Sequence, residues 1–381
     1  MSPVIGIDAR AATEEGAGGG RVVRELLRAL SVRKDGHRYL LYARERWDHP
    51  LGERFEWRLN GSRDPLWHLR VARQASRECD ALLSTNSYLT AWFTRTPTAP
   101  MVFDLVAFEP ELRPQRRSGL IERLTLPIAV RRSAALLAIS QATADALVAR
   151  FPKAGPKTVV APLAASGALE HETAELPAGV PEDGYVLAVG TLEPRKNLPR
   201  LVAAYRGLPE DLRAAHPLVI AGRVGWEAGE TLDTLRSLGD QAIRTGFVPD
   251  AQLALLYRRC GLFAYPSLGE GFGLPVLEAM AAGAPVLTSD RSSLPEVGGS
   301  AAAYCDPMDE NSIATAMESL LRDPSKLEQL RAAGPRRAAE FSWERTAETT
   351  IAVLERIAGA DGRPRRGQGG PSGSRPPTRS A

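Results

Sequence analysis

Cysteine is nearly missing from this 381-residue chain: Cys79, Cys260 and Cys305 stand far apart and are odd in number. Their spacing matches no metal site and they cannot all pair, which argues against a disulfide framework and for a reducing, cytoplasmic setting. Five histidines, His37, His49, His68, His171 and His216, are equally scattered, so a histidine-built metal centre is not expected. Nowhere do about 18 apolar residues run together, so no spanning helix is expected. The start, MSPVIGIDAR, lacks the basic-then-apolar order of a signal peptide. Lysine is scarce as well, with only Lys34, Lys153, Lys157, Lys196 and Lys326 among 48 Lys and Arg residues.

What is present is ordinary globular material, 44% hydrophobic and 24% charged, in a length suited to two domains of about 150–200 residues. The net charge of +3 hides an asymmetry. Residues 1–165 hold 25 Lys and Arg against 17 Asp and Glu, whereas residues 166–359 hold 18 against 27. The two halves are therefore suited to different partners. Nucleic acid is not among them, because the basic residues are diluted by apolar ones and accompany neither an aromatic stacking platform nor zinc-finger spacing.

Short apolar runs alternate with helical periodicity along the chain. PVIGID, a glycine break at Gly18, Gly19 and Gly20, and then Val22, Leu26, Leu27 and Leu30 read as strand, loop and helix. YLLYA, DALLSTN, APMVFDLVAF and KTVVAPLAA continue the rhythm over residues 1–165, an N-terminal Rossmann-like domain. Residues 166–184 read as a linker. The rhythm restarts over 185–340 with YVLAVG, PLVIAGR, GLFAYPS and APVLTSD. The expected fold is α/β, with two parallel-sheet domains facing across a cleft. Residues 341–359 read as a C-terminal helix that crosses back to the first domain. The Pro-, Gly-, Ser- and Arg-rich residues 360–381 read as a disordered tail.

Two stretches carry chemistry. In SLGEGFGLPVLEAMAAGAPVL, two glutamates flank a glycine turn directly before a helix with Pro275 near its start and Gly283 at its end. Amides at Gly271, Phe272, Gly273 and Leu274 would meet an anion where the helix dipole favours it. Glu278 could then accept from a ribose diol, and Glu270 from a sugar beyond the phosphates. A capped core helix with incidental carboxylates is the plainer alternative. In GTLEPRKNL, Arg195 and Lys196 follow the strand YVLAV, at the strand end where open α/β sheets bind ligands. Arginine there would fork onto phosphate oxygens and lysine would act as a point charge, with a solvated loop as the alternative. Arg200, a helical turn further on, reads as exposed.

These stretches, together with GIDAR and its glycine loop, AGRVGW, TGFVPDAQLALLY, the continuation to SSLPEVGG, and FSWERTA, closely resemble the retaining glycosyltransferases of family 4. Within that family the chain resembles the bacterial mannosyltransferase-like members. The resemblance implies the GT-B fold and a metal-independent hexosyl transfer with no cofactor. The donor would be a nucleotide sugar, GDP-mannose or alternatively a UDP-hexose, and the acceptor a saccharide or a lipid-linked saccharide. It also implies site residues. Arg195, Lys196 and Glu270 would serve the diphosphate and donor sugar, Glu278 the ribose, and Phe247 and Val248 the base. Gly19, Gly20, Gly190 and residues 271–274 would lie against the donor, and Asp104 on the acceptor side.

One departure stands out. Members often carry His-Asp-Leu where this chain reads Phe103-Asp104-Leu105. A non-catalytic nucleotide-sugar-binding subunit is therefore the rival reading, and an epimerase of the same fold a third, since fold alone does not fix function. Arg113, Arg116, Arg117, Arg123, Arg131 and Arg132 interleave with leucines and isoleucines, a pattern that suits either peripheral contact with anionic lipid or a solvated helix face. Ser140 reads as a helix N-cap.

Overall fold

The computed structural model describes residues 2–14, 18–85, 87–112, 115–167, 174–236 and 238–360. Arg113, residues 168–173 of the linker with His171, and the tail from 361 onward lie outside the described residues.

Among the described residues seven strands form the first sheet: β1 (Val4–Asp8), β2 (Arg38–Ala43), β3 (Phe55–Leu59), β4 (Ala81–Ser84), β5 (Thr98–Val102), β6 (Leu136–Ala138) and β7 (Thr158–Val160). Their order is β3-β2-β1-β4-β5-β6-β7. Six form the second: β8 (Val186–Val189), β9 (Leu218–Ala221), β10 (Ala242–Gly246), β11 (Leu262–Tyr265), β12 (Val286–Ser289) and β13 (Ala303–Cys305), in the order β10-β9-β8-β11-β12-β13. Every pairing among the described residues is parallel. The strands at the sheet centres, such as ALLS, LVIA and LFAY, are buried at every position. That is what helices on both faces of a parallel sheet demand, and it is why these strands read as unbroken apolar runs.

Strand order reverses between β1 and β4 in the first sheet and between β8 and β11 in the second. Loops leaving neighbouring strands at such a point diverge to opposite faces and open a crevice. The loops that follow β8 and β11 carry Arg195, Lys196 and Glu270. The loop after β1 leads into the helix Gly19–Val32. Chain order thus delivers the chemically interesting segments to the carboxyl ends of both sheets.

The C-terminal segment ties the halves together. The helix Pro324–Ala338 packs on the helix Leu274–Ala281 of the second domain, and the helix Trp343–Ala360 packs on Gly19–Val32, β4 and β5 of the first. Trp343 donates its indole N–H to Ala165 O at 3.0 Å, and Thr346 donates to Pro162 O. As a result one apolar cluster runs through both domains, joining Ile5, Leu27 and Leu83 to Phe263, Leu277, Trp343 and Ile351.

Candidate functional site

The loop after β8 turns on two unusual backbones. Gly190 takes φ 141°, and a Cβ there would crowd the Lys196 side chain at 3.3 Å. Asn197 adopts the left-handed conformation, φ 59°, which asparagine tolerates better than most residues. Its buried amide donates to Pro266 O at 2.9 Å and to Pro307 O at 2.6 Å. That anchor holds the Arg195-Lys196 loop against the loop after β11.

Between the two loops lies Glu270. Its Oε1 accepts from Lys196 Nζ at 2.7 Å, Ser267 Oγ at 2.7 Å and Tyr265 Oη at 2.8 Å, and its Oε2 accepts from Arg195 at 2.5 Å. Arg195 also pairs with Glu193. Burial disfavours the Glu270 charge, but Arg195 and Lys196 outweigh it and hold the carboxyl down at about 2. For Lys196, burial and then the neighbouring Arg195 charge pull the ammonium below its ordinary value, against the two glutamates. Lys196 and Arg195 each have more N–H groups than these partners use, and both line a cavity of about 410 Å3.

That cavity is bounded from the first domain by Gly18, Gly19, Arg21, Phe103 and Asp104, and from the second by Gly190, Glu270, Glu278 and residues 271–275. The helix behind the glycine turn runs Leu274–Ala281, one residue earlier than Pro275 suggests, with Gly273 as its N-cap at φ 107°. Glu278 is buried on it. Arg21, from the opposite domain, donates to Glu278 Oε1 and to Asp250. Burial raises the Glu278 carboxyl and Arg21 opposes that shift.

The domains touch beside the cavity at Gly271, where a Cβ would stand 1.7 Å from Phe103 O. Only glycine allows this approach. Gly271 O accepts from Ser140 Oγ at 2.6 Å and Thr143 Oγ1 at 2.9 Å. Ser140 also caps its own helix, Gln141–Arg150, by accepting from Thr143 N. The same helix start gives Gln141 N and Ala142 N to the Glu296 carboxylate of the second domain, at 2.8 and 3.0 Å.

Three residues expected at the site, Gly20, Phe247 and Val248, do not line either cavity. Gly20 faces Ala11 O and Glu14 O, at 2.7 and 2.9 Å from its would-be Cβ, so it serves the packing of the helix start while Gly18 and Gly19 line the cavity. Phe247 and Val248 line neither this cavity nor the larger one: Phe247 is half exposed under the Arg223 guanidinium, and Val248 packs into the core. Arg200 is not a free surface residue, because it donates to Asn197 Oδ1 at 2.9 Å and lines the larger cavity, of about 780 Å3. That cavity shares Asp104, Glu270 and Gly271 with the smaller one. Phe103 is partly buried against the main core and also borders the smaller cavity.

Sequence reading missed Arg21, Tyr265, Ser267 and Asn197. Arg21 had a signal, a cation directly after a glycine run; the others had none beyond their place in the motif.

Solved structures and sequence relatives bear on this arrangement. Sucrose-phosphate synthase from Thermosynechococcus elongatus superposes with a TM-score of 0.72 at 19% identity, over 94% of this chain and all of that one. HepE from Anabaena, solved with UDP and glucose, superposes with a TM-score of 0.70 at 17% identity, over 93% and 99%. The fold is GT-B. Residues 177–337 match the family model for glycosyl transferases group 1. O-antigen chain mannosyltransferase B of Escherichia coli is 43% identical over 174 residues, covering 44% of this chain and 45% of that protein. The match therefore spans less than half of this relative's length.

Behind Asp104 stands Glu122, whose carboxyl is pushed up to about 8 by burial and then by the Asp104 charge. The folded protein keeps this proton while the unfolded chain releases it near 4.5, so stability falls as pH rises from about 4.5 to 8. Glu122→Gln should match the parent near pH 4. Above pH 8 it should melt higher by at least about 1 °C, the shift that about 1 kcal/mol produces when unfolding entropy is about 2.1 cal/mol/K per residue. Parallel melting curves from pH 4 to 9 would show that Glu122 carries no such proton.

Proposed function

We propose that the protein is a retaining hexosyltransferase that moves a sugar, mannose from GDP-mannose in the favoured case and otherwise a UDP-hexose, onto a hydroxyl of a saccharide or lipid-linked saccharide. The observation that carries this reading is the pairing of Arg195 and Lys196 on Glu270 at the wall of a cavity that also holds the glycine turn and Glu278. The match to O-antigen chain mannosyltransferase B supports the choice of mannose and of a polysaccharide product. The HepE complex with UDP and glucose supports a nucleotide-sugar donor and keeps the uridine alternative open.

In this reading the diphosphate lies between Arg195, Lys196 and the amides before the helix Leu274–Ala281. Pro275 has no N–H, so Leu274 and the glycine turn supply the donors there. The ribose diol rests on Glu278 and the sugar on Glu270, while the acceptor enters from the larger cavity past Asp104. The bond from the anomeric carbon to the phosphate oxygen breaks, and the acceptor oxygen bonds that carbon on the same face. The acceptor proton passes to the departing phosphate. Two fixed cations stabilise the growing negative charge without a metal ion, and positioning supplies much of the rest.

Contact with an anionic lipid surface belongs to the same proposal. On the helix Arg116–Arg132, one face buries Thr125, Leu126, Ala129 and Val130. The other exposes Leu120, Ile121 and Leu124 beside Arg116, Arg117, Arg131 and Arg132. Apolar side chains set among arginines suit insertion at a negatively charged interface. Among the described residues no helix is long and apolar enough to cross a membrane. Wild-type protein should sediment with phosphatidylglycerol vesicles and not with phosphatidylcholine vesicles, and Leu120→Asp combined with Leu124→Asp should abolish that. Equal partition of both proteins would refute the contact.

Turnover tests the chemical reading. Incubation with GDP-mannose, UDP-glucose and a panel of saccharide acceptors should release nucleoside diphosphate. Lys196→Ala should cost on the order of 10²–10³ in rate and much less in donor affinity, because charge on the leaving phosphate peaks in the transition state. Arg206→Ala, exposed at the end of its helix, should change neither. Unimpaired turnover in Lys196→Ala would remove the mechanism. Tight donor binding with no turnover toward any acceptor would favour the binding-subunit reading raised by Phe103.

A further inference from the structure

Arg21 is the cation of the cavity that neither the family motif nor the diphosphate explains. It rises from the first turn of the helix Gly19–Val32 in the first domain and is 4% exposed. One terminal nitrogen donates to Glu278 and the other to Asp250, both in the second domain. Its Nε–H is buried with no hydrogen-bond partner among the described residues. A desolvated donor left unpaired is unfavourable, so the two carboxylates dictate where this guanidinium lies. Glu278 has the weaker alternatives: among the described residues its other oxygen meets only Tyr257 Oη, at a marginal 3.5 Å.

We infer that Arg21 is a positioning residue for nucleotide recognition, setting the Glu278 carboxylate across the domain cleft so that it can take both hydroxyls of a ribose. The inference rests on the reading of Glu278 as the ribose acceptor. A carboxylate offers about four acceptor positions, and the Arg21 bond uses one on Oε1, leaving enough for a diol. Because the arginine and the glutamate belong to different domains, ribose is read in full only when the domains are together. Asp250, in the first turn of the helix Asp250–Arg259, holds the second arm of the fork and so fixes its orientation. A lysine could supply charge to one carboxylate but could not bridge the two in this way.

The readout is sugar discrimination, which a merely structural contact between domains would not move. Calorimetry would compare GDP with 2′-deoxy-GDP, and UDP with 2′-deoxy-UDP, on wild type, Glu278→Gln, Arg21→Gln, Arg21→Lys and Asp250→Asn. Wild type should prefer the ribonucleotide by on the order of tenfold or more, as a site built around a hydroxyl does. Glu278→Gln and Arg21→Gln should both bring that ratio close to one, with Arg21→Lys and Asp250→Asn in between. Should Arg21→Gln fail to fold, Asp250→Asn and Arg21→Lys carry the same test. If Glu278→Gln collapses the ratio but the Arg21 and Asp250 variants weaken both nucleotides in parallel, the inference fails while the ribose reading stands. If Glu278→Gln leaves the ratio unchanged, the ribose reading itself fails, and the role of Arg21 falls with it.

Discussion

Everything in the cavity depends on the charge balance around Glu270. Two cations on the loop after β8 would be costly to bury alone, and so would a carboxylate on the loop after β11. Brought together they satisfy one another: Arg195 on one oxygen, Lys196, Ser267 and Tyr265 on the other. The neighbouring positions of β8 and β11 make the meeting possible, and Asn197, with its left-handed backbone and two carbonyl anchors, fixes the geometry. The result is a pair of preorganised positive groups with donors to spare.

The second constraint is contact between the domains. It is made of backbone as much as of side chains: Gly271 against Phe103 O, Ser140 and Thr143 on Gly271 O, and Glu296 on the amides of Gln141 and Ala142. Arg21 adds a charged bridge on the other side of the cavity. The glycine turn and Glu278 of the proposed donor site are thus held from both domains, and the helix Trp343–Ala360 fastens the domains a second time at a distance. Opening the cleft would cost the site its Gly271 contacts and its Arg21 bridge at once.

The fold was legible because parallel strands buried on both faces leave unbroken apolar runs, and runs such as LVIA and LFAY alternate with helical periodicity at every step. The helix after the glycine turn was legible to within a residue, since Pro275 and Gly283 carry their positions in their covalent geometry. Local motifs also placed Arg195 and Lys196 on the loop that follows a strand. Pairings across the domains were not legible. Arg21 and Glu278 are 257 positions apart, and nothing local to either announces the other. The packing of Gly20 against Ala11 O and Glu14 O was not legible either, because they come from a turn that periodicity does not describe. Phe247 and Val248 were assigned to the base by resemblance, and the backbone carries them outside the cavity lining.

The most direct test of the central claim is a crystal structure of the protein grown with GDP-mannose or UDP-glucose. The account predicts the diphosphate between Arg195, Lys196 and the amides preceding the helix Leu274–Ala281, with the ribose hydroxyls on Glu278. A nucleotide bound elsewhere, with Arg195 and Lys196 making no contact to phosphate, would contradict it.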